Sequence, residues 1–309
     1  MCFLHGGLAY KLFKAIARYR DNSTPQARLE NAQLEMAANK PLAADLYISI
    51  LALVQNADGS LAFAELGAEN GRTAVDYVVK MHQFDNAQLM YTRLFNDTLT
   101  KQDLFDLGVH VANFHKAQPL QPAATGTYPQ TFADDFSHWL TSYAERVPQR
   151  ELAALLSGLR QTAVDAVKAK AAAFHAREPL RTTLHGDMDF GNIATFKGKL
   201  VPFDAQVLFD GKRENDPAKD VAYMLAPLYM YGRQDLARAL LAGYMSVIPN
   251  SSLDEVLPLW VAYASMVRGN SWLSKAANAP HTAETAMFEA YGYRYLKNME
   301  RLLKGEMPL

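Results

Sequence analysis

Short apolar runs separated by turn residues fill the first 84 of the 309 residues, and this pattern is typical of β-strands. The His5-Gly6-Gly7 segment lies between two such runs, and its glycines supply the positive φ that a tight turn needs. Thr24 is a capping residue and is followed by Pro25, which favours the first helical position, so a helix is predicted to start here. The pattern predicts strands over residues 2–4, 8–13, 48–54, 61–64 and 75–81, and a helix over residues 27–40.

From residue 85 onward, apolar residues recur mostly at helical spacing. The proline-containing segment 118–130 is predicted as a loop inside this helical region rather than as a domain boundary. Lys197-Gly198-Lys199 separates two apolar stretches, residues 193–196 and 200–203, and predicts a β-hairpin. Predicted helices cover residues 87–95, 100–116, 132–144, 150–175, 218–230, 233–247, 254–274 and 282–303.

Composition and charge narrow the class of protein. Half of the residues are apolar (50%) and 20% are charged, which is typical of a folded globular chain. The net charge of −1 gives no reason to expect a nucleic-acid partner, and no basic amphipathic run indicates a membrane surface. Cys2 is the single cysteine, and neither a signal peptide nor an apolar run of about 18–20 residues is present. We therefore expect a soluble, cytoplasmic protein.

The stretch at residues 184–221 carries the candidate chemistry. It contains His185-Gly186-Asp187, then Asn192, then an apolar strand that ends at Asp204. Phosphoryl transfer from a nucleotide needs a carboxylate that accepts the proton of the attacking hydroxyl, and oxygen ligands for Mg²⁺. Asp187 is predicted to be that base, with Asn192 and Asp204 as the metal ligands. Asp216-Pro217-x-x-Asp220 follows, and both carboxylates are also expected to act as helix caps.

The order of these residues resembles the aminoglycoside phosphotransferase branch of the protein-kinase-like fold. His-x-Asp-x₄-Asn, an apolar strand ending in Asp, and Asp-Pro-x-x-Asp together carry the resemblance. It implies an α+β, two-lobed fold: a small β-rich nucleotide-binding lobe with one helix at residues 1–84, and a large helical lobe with the catalytic loop and acceptor site at residues 85–309. It also implies that His185 supports the catalytic loop and that Asp220 is a structural carboxylate that braces this loop.

In the small lobe, the resemblance implies a lysine that grips the donor phosphates and a glutamate that pairs with it. Lys11 is the predicted lysine, with Lys14 as its nearest competitor. Glu35 is the predicted partner, and by spacing alone Glu30 is an equal alternative.

The segment after the last predicted strand corresponds to the hinge of this fold. Its backbone, from Met81 to Phe84, is expected to hold the adenine of the nucleotide. One departure from the family is visible, because family members have a further strand and a phosphate-covering loop before the first hairpin. Here Met1 falls at the hairpin itself, so we expect either a start further upstream or an incomplete lid.

The expected activity is transfer of the γ-phosphoryl group of ATP, or of GTP, with Mg²⁺, to a hydroxyl of an aminoglycoside, sugar or amino alcohol. Asp189, Asp210 and Glu214 could attract a cationic acceptor, although Lys212 and Arg213 lie beside them. Asp189 replaces a histidine common in the family, and this replacement could alter the acceptor or only the hydrogen bonds of the loop. Two alternatives remain at this point. One is a pseudokinase-like nucleotide-binding or scaffolding protein without catalysis. The other is a metal-dependent phosphoesterase with His185, Asp187 and Asp204 as ligands.

Overall fold

The computed structural model describes residues 1–15, 21–120, 126–147, 149–206, 213–249, 251–279 and 283–306. These residues belong to two compact units. Unit 1 comprises Met1–Phe114 and His185–Arg213, and unit 2 comprises His115–Leu184 and Glu214–Leu309. The predicted functional division at residue 85 stays a prediction. Among the helices in the described ranges, none has both the length and the apolar character needed to cross a bilayer.

Strands and helices follow one another much as the sequence patterns indicate. The described strands are Cys2–His5 (β1), Leu8–Leu12 (β2), Tyr47–Gln55 (β3), Leu61–Glu65 (β4), Ala74–His82 (β5), Thr182–Thr183 (β6), Ile193–Phe196 (β7), Lys199–Pro202 (β8) and Glu214–Asn215 (β9). The described α-helices are Pro25–Ala43 (α1), Met90–Phe95 (α2), Lys101–Ala117 (α3), Tyr128–Arg146 (α4), Arg150–Ala169 (α5), Ala171–Arg177 (α6), Ala218–Met230 (α7), Gln234–Val247 (α8), Ser251–Asn278 (α9) and Ala283–Leu303 (α10). The predicted α+β class is confirmed, with a β-rich N-terminal part that contains one long helix and a mainly helical C-terminal part.

The core of unit 1 lies between an antiparallel sheet and α1. The strand order is β1-β2-β5-β3-β4, and Ala9 of β2 pairs with Met81 of β5. Ala9 and Met81 pack with Ala32 and Ala43 of α1, so α1 covers this face of the sheet. Because side chains alternate along a strand, Lys11 projects from the same face as Ala9. The hairpin thus directs Lys11 toward the side of the sheet on which α1 lies.

Helix α1 is held at both of its ends. Thr24 caps it, with its hydroxyl accepting from the Ala27 N–H at 3.1 Å. Near this end, Arg28 donates to Asp76 of β5 at 2.7 Å. Near the other end, the His110 side chain lies 2.9 Å from the Leu42 carbonyl oxygen. The helix continues through Pro41 and ends at Ala43, whereas the predicted end was residue 40.

Unit 2 is built from helices, and α9 packs against α6, α7 and α10. A buried ion pair precedes α7, in which Arg177 donates to the two oxygens of Asp216 at 2.6 and 2.7 Å. Asp216 also accepts from the Ala218 N–H at 2.8 Å, which is the predicted capping role. The Tyr128 hydroxyl donates to the same carboxylate at 2.9 Å.

Two predicted boundaries in this unit are wrong. The single helix predicted over residues 150–175 is broken at Lys170, whose φ of −109° and ψ of 16° leave the helical region. Its local sequence favours helix, so we attribute the break to tertiary packing: α5 packs mainly against α4, whereas α6 packs mainly against α9. The predicted loop 118–130 overlaps the start of α4 at Tyr128, and residues 121–125 of it lie outside the described residues.

Candidate active site

Asp187 and Asn192 lie together on the loop that precedes β7. The side-chain N–H₂ of Asn192 donates to the Asp187 carbonyl oxygen and to its Oδ2, both at 3.0 Å. The backbone carbonyl of Asn192 accepts from the Phe203 N–H at 2.8 Å. The predicted base is therefore oriented by the predicted metal ligand, and the β7–β8 hairpin connects both to the end of β8.

His185 supports this loop and has both ring nitrogens engaged. It is fully buried, its Nε2 lies 3.0 Å from the Phe203 carbonyl oxygen, and its Nδ1 accepts from the Asp187 N–H at 3.4 Å. A carbonyl oxygen only accepts and a backbone N–H only donates, so Nε2 carries the proton. The supporting role of His185 stays a prediction, and this arrangement agrees with it. The arrangement argues against the phosphoesterase alternative, in which His185 would be a metal ligand.

Gly186 is required by the shape of the same loop. Its φ is +87°, and a Cβ added here would lie 2.9 Å from the side-chain oxygen of Gln206. Gln206 also donates its backbone N–H to the His185 carbonyl at 2.9 Å. The catalytic loop and the segment after β8 are thus in close contact.

Lys11, Glu35 and Asp204 form a charged cluster in unit 1. The Lys11 ammonium lies 2.8 Å from Glu35 Oε1 and 2.6 Å from Asp204 Oδ1. The Glu35 side chain is 1% exposed, whereas that of Asp204 is 49% exposed. The two alternatives lie elsewhere: Lys14 is exposed, and Glu30 is exposed and accepts from Gln26.

The protonation of this cluster follows from burial and charge together. Burial lowers the pKa of Lys11, but the charges of Glu35 and Asp204 outweigh it, so its pKa is raised and the amine stays an ammonium. Burial raises the pKa of Glu35 despite the nearby ammonium, and the charge of Asp204 adds to this effect. The Lys11 ammonium therefore forms ion pairs with two carboxylates.

Two buried polar residues that our sequence analysis did not single out connect this cluster to α1 and β3. The Tyr47 hydroxyl accepts from the Asp204 N–H at 3.1 Å and lies 3.5 Å from Glu35 Oε1 as a donor. Asn39 accepts from the Ala205 N–H at 2.8 Å and donates to the Glu35 carbonyl at 2.9 Å.

A cavity of about 440 Å³ in unit 1 is lined by Lys11, Asp204 and the predicted hinge residues. Small-molecule sites typically have volumes of about 300–1,000 Å³. Phe84 and Phe203 contact each other in its wall, with ring centroids 5.1 Å apart. Among the described residues, the backbone N–H of Phe84 has no protein acceptor. Met81, His82, Gln83 and Cys2 complete this part of the wall.

Asn192 and Asp204 offer oxygens of the kind that bind a magnesium ion. Mg²⁺ usually binds through one or two carboxylates together with substrate phosphates and waters. Within the described ranges, Asn192 Oδ1 and Asp204 Oδ2 accept no hydrogen bond from the protein. In the same ranges, no group of three or more His, Cys, Asp or Glu residues converges as a metal cage.

The candidate acceptor carboxylates have other partners or lie outside the described residues. Asp189 is 4% exposed; it accepts from the Gly191 N–H at 3.3 Å and from the Tyr91 hydroxyl at 3.1 Å. Asp189 therefore takes part in the hydrogen bonds of the loop that carries Asp187, which is one of the two roles expected for it. Its contact with the acceptor stays a prediction. Glu214 lies in β9, opposite Thr183. Asp210 and Lys212 are outside the described residues.

Asp220 is buried in unit 2, where its Oδ2 lies 3.1 Å from Nε2 of His115. His115 is itself 3.0 Å from the Tyr244 hydroxyl. The Asp220 side chain is thus fixed by other side chains of unit 2. Its predicted contact with the catalytic loop stays a prediction.

Comparison with solved structures identifies the fold. Glucosamine kinase in complex with glucosamine, ADP and inorganic phosphate is 17% identical, with a TM-score of 0.59 over 98% of this chain and 77% of that one. Choline kinase from Cryptosporidium parvum is 10% identical, with a TM-score of 0.52 over 97% of this chain and 84% of that one. An aminoglycoside phosphotransferase from Alicyclobacillus acidocaldarius is 14% identical, with a TM-score of 0.50 over 99% and 91%.

These similarities define the class of fold. The chain has a protein-kinase-like fold, and it is the variant found in aminoglycoside phosphotransferases and other small-molecule kinases. The resemblance inferred from the sequence is thereby confirmed at the level of the fold. No family model matches the sequence, and no curated protein matches it.

Proposed function

We propose that this protein transfers the γ-phosphoryl group of ATP or GTP, with Mg²⁺, to a hydroxyl group of a small molecule. One observation carries the proposal: the Lys11 ammonium, bonded to Glu35 and Asp204, lies in the wall of a nucleotide-sized cavity. Asp187 and Asn192 are paired in the same unit. The fold is also that of small-molecule kinases.

In this proposal Lys11 binds the phosphates of the donor. Glu35 is buried and its carboxylate also accepts from the Tyr47 hydroxyl, so it stays with Lys11 and orients the ammonium. Asp204 is half exposed and is therefore the partner that exchanges the ammonium for a cation. Mg²⁺, when bound by Asn192 and Asp204, supplies positive charge to the phosphate oxygens.

Asp187 orients the acceptor hydroxyl and takes its proton as the oxygen attacks the phosphorus. Its Oδ2 accepts from Asn192 Nδ2, which fixes the plane of the carboxylate. The nucleobase lies against Met81 and Phe84, and the Phe84 N–H donates to an acceptor on its edge. The acceptor classes that we propose are amino sugars, amino alcohols and aminoglycosides, as suggested by the names of the fold neighbours.

The test is transfer of radioactive phosphate from γ-labelled ATP or GTP to glucosamine, choline and an aminoglycoside in the presence of Mg²⁺. We expect transfer by the wild-type protein to at least one acceptor. Asp187→Asn removes the base while keeping the shape of the side chain, and we expect it to lower the rate by about 10²–10⁴-fold. Asp106→Asn is the matched control, because this exposed carboxylate on α3 bonds only to Gln102 among the described residues.

Nucleotide affinity must be measured on the same proteins. We expect Asp187→Asn to bind the nucleotide as tightly as the wild type, because Asp187 does not line the cavity. Transfer by Asp187→Asn at the wild-type rate would refute the assigned mechanism. Tight nucleotide binding with no transfer to any acceptor or to water would favour the non-catalytic alternative.

A further inference from the structure

Two side chains from elsewhere in unit 1 hold the turn that carries Asp204. Asp204 has a φ of +59°, in the left-handed region that residues other than glycine seldom adopt. A short turn of this kind needs its backbone groups fixed from outside, because it forms no ladder of its own. The N–H groups of Asp204 and Ala205 donate to the Tyr47 hydroxyl and to Asn39 Oδ1.

Both residues that hold the turn also contact Glu35. The Tyr47 hydroxyl is 3.5 Å from Glu35 Oε1, and Asn39 Nδ2 is 2.9 Å from the Glu35 carbonyl. Tyr47 is 5% exposed and Asn39 is fully buried, so water does not substitute for either bond. Burial also raises the pKa of Tyr47 above its ordinary value, and the hydroxyl therefore keeps its proton at neutral pH.

Two short polar bridges thus run between the residue that pairs with Lys11 and the turn that carries the proposed metal ligand. A shift of α1 that moved Glu35 away from Lys11 would also remove an acceptor from the Asp204 turn. Loss of the turn would in the same way remove the Ala205 N–H that donates to Asn39. The two arrangements are therefore mechanically linked within unit 1.

We propose that Tyr47 and Asn39 are positioning residues that couple the Lys11–Glu35 pair to the conformation of Asp204. This inference rests on the proposed function, in which Asp204 binds Mg²⁺ with the nucleotide. Its consequence is that the metal strengthens nucleotide binding only when α1 is in the arrangement that pairs Glu35 with Lys11. Tyr47 lines the cavity, whereas Asn39 does not. In this account both act through Glu35 and the Asp204 turn rather than directly on the phosphates or the acceptor.

Tyr47→Phe isolates the effect of the hydroxyl, because its ring still packs with Leu46, Val79 and Met81. The readout is the affinity for ATP, measured by calorimetry with excess Mg²⁺ and again with EDTA. We expect the affinity in EDTA to be unchanged within about twofold. We expect the gain in affinity from Mg²⁺ to fall about tenfold, which corresponds to about 1.4 kcal/mol and to the loss of one buried hydrogen bond.

Tyr77→Phe is the matched control. Tyr77 lies on β5 in the same sheet, half-buried beside Ala52 and Val54 and away from the cavity. Its loss of a hydroxyl should leave the Mg²⁺-dependent gain at the wild-type value. Asn39→Ala should repeat the effect of Tyr47→Phe, and thermal unfolding of each variant checks that it is folded.

The outcomes separate this inference from the proposed function. If Mg²⁺ raises the ATP affinity of the wild type, Tyr47→Phe and Tyr77→Phe by the same factor, the positioning role is wrong and the proposed function stands. Equal loss of affinity with and without Mg²⁺ in Tyr47→Phe would also overturn the positioning role, because a merely structural defect has that result. If the wild type shows no gain from Mg²⁺, the proposed function fails and the inference fails with it.

Discussion

At the scale of single residues, the site depends on one ammonium that two carboxylates share. Lys11 contacts a buried Glu35 and a half-exposed Asp204, so the two acids have different surroundings although they have the same partner. Burial favours the neutral form of Glu35 and raises its pKa. An ionised Glu35 in this buried position therefore lowers the stability of the folded state.

This reasoning predicts how Glu35→Gln changes stability with pH. Because the folded-state pKa of Glu35 is raised above 4.5, the folded state binds more protons than the unfolded state between these two values. Glu35 therefore contributes stability below pH 4.5 that is lost as the pH rises through the folded-state pKa. Glu35→Gln should not lose stability in this way. Its free energy of unfolding, measured with urea, should therefore increase relative to that of the wild type as the pH rises.

At pH 7 we expect the free energy of unfolding of Glu35→Gln to lie within about 1 kcal/mol of the wild-type value. Lys11 keeps Asp204, and the amide oxygen of glutamine still accepts from Lys11 and Tyr47. Glu30→Gln, on the exposed face of the same helix, is the control and should show no such pH dependence. A Glu35→Gln variant that becomes steadily less stable than the wild type as the pH rises would contradict the account of Glu35.

At the scale of elements, close packing of α9 against α10 depends on two glycines. A Cβ on Gly292 would lie 2.6 Å from the Leu273 side chain and 3.0 Å from the Gly269 carbonyl oxygen. A Cβ on Gly269 would lie 2.9 Å from the side chain of Leu296. The backbones of the two helices approach each other at this point, and no side chain fits between them.

Gly292→Ala is therefore expected to lower the free energy of unfolding by about 1–3 kcal/mol, the usual cost of overpacking a core. Gly158→Ala on α5 is the control, because a Cβ there meets nothing within 4 Å. The control should gain about 0.5–1 kcal/mol, since alanine restricts the unfolded chain. Urea unfolding of both variants measures the difference, and equal stabilities would show that the helices do not meet as described.

Some elements and contacts of unit 1 could be predicted from the sequence, and others could not. The β7–β8 hairpin and the catalytic loop were predictable because His185, Asp187, Asn192 and Asp204 lie in one short stretch with strong turn residues. Tyr47 and Asn39 were not, since their partners in the Asp204 turn are 157 and 166 residues away and no local pattern marks such bonds. For Asp189 the sequence left two roles open, toward the acceptor or within the loop, and the hydrogen bond from the Gly191 N–H shows the second.

At the scale of the whole molecule, unit 1 is assembled from two separate parts of the chain. Met1–Phe114 contributes Lys11, Glu35 and the hinge, whereas His185–Arg213 contributes Asp187, Asn192 and Asp204. The candidate site is therefore complete only when these two parts have folded together. A measurement on the intact chain that reports this cavity directly is the most informative one.

Cys2 provides that measurement. It is exposed, it lines the cavity, and it is the single cysteine in the sequence. Its rate of labelling by a maleimide should be compared in the free protein, with Mg²⁺ alone, with ATP and Mg²⁺, and with ATP and EDTA. Asp204→Ala, measured under the same four conditions, reports the contribution of the proposed metal ligand.

We predict that saturating ATP with Mg²⁺ slows labelling of the wild type at least about fivefold, as expected when a ligand occupies the site nearly all of the time. EDTA and Asp204→Ala should each remove most of this protection, and Mg²⁺ alone should give none. Labelling of Cys2 at the same rate with and without ATP and Mg²⁺ would contradict the claim that this cavity binds the phosphate donor.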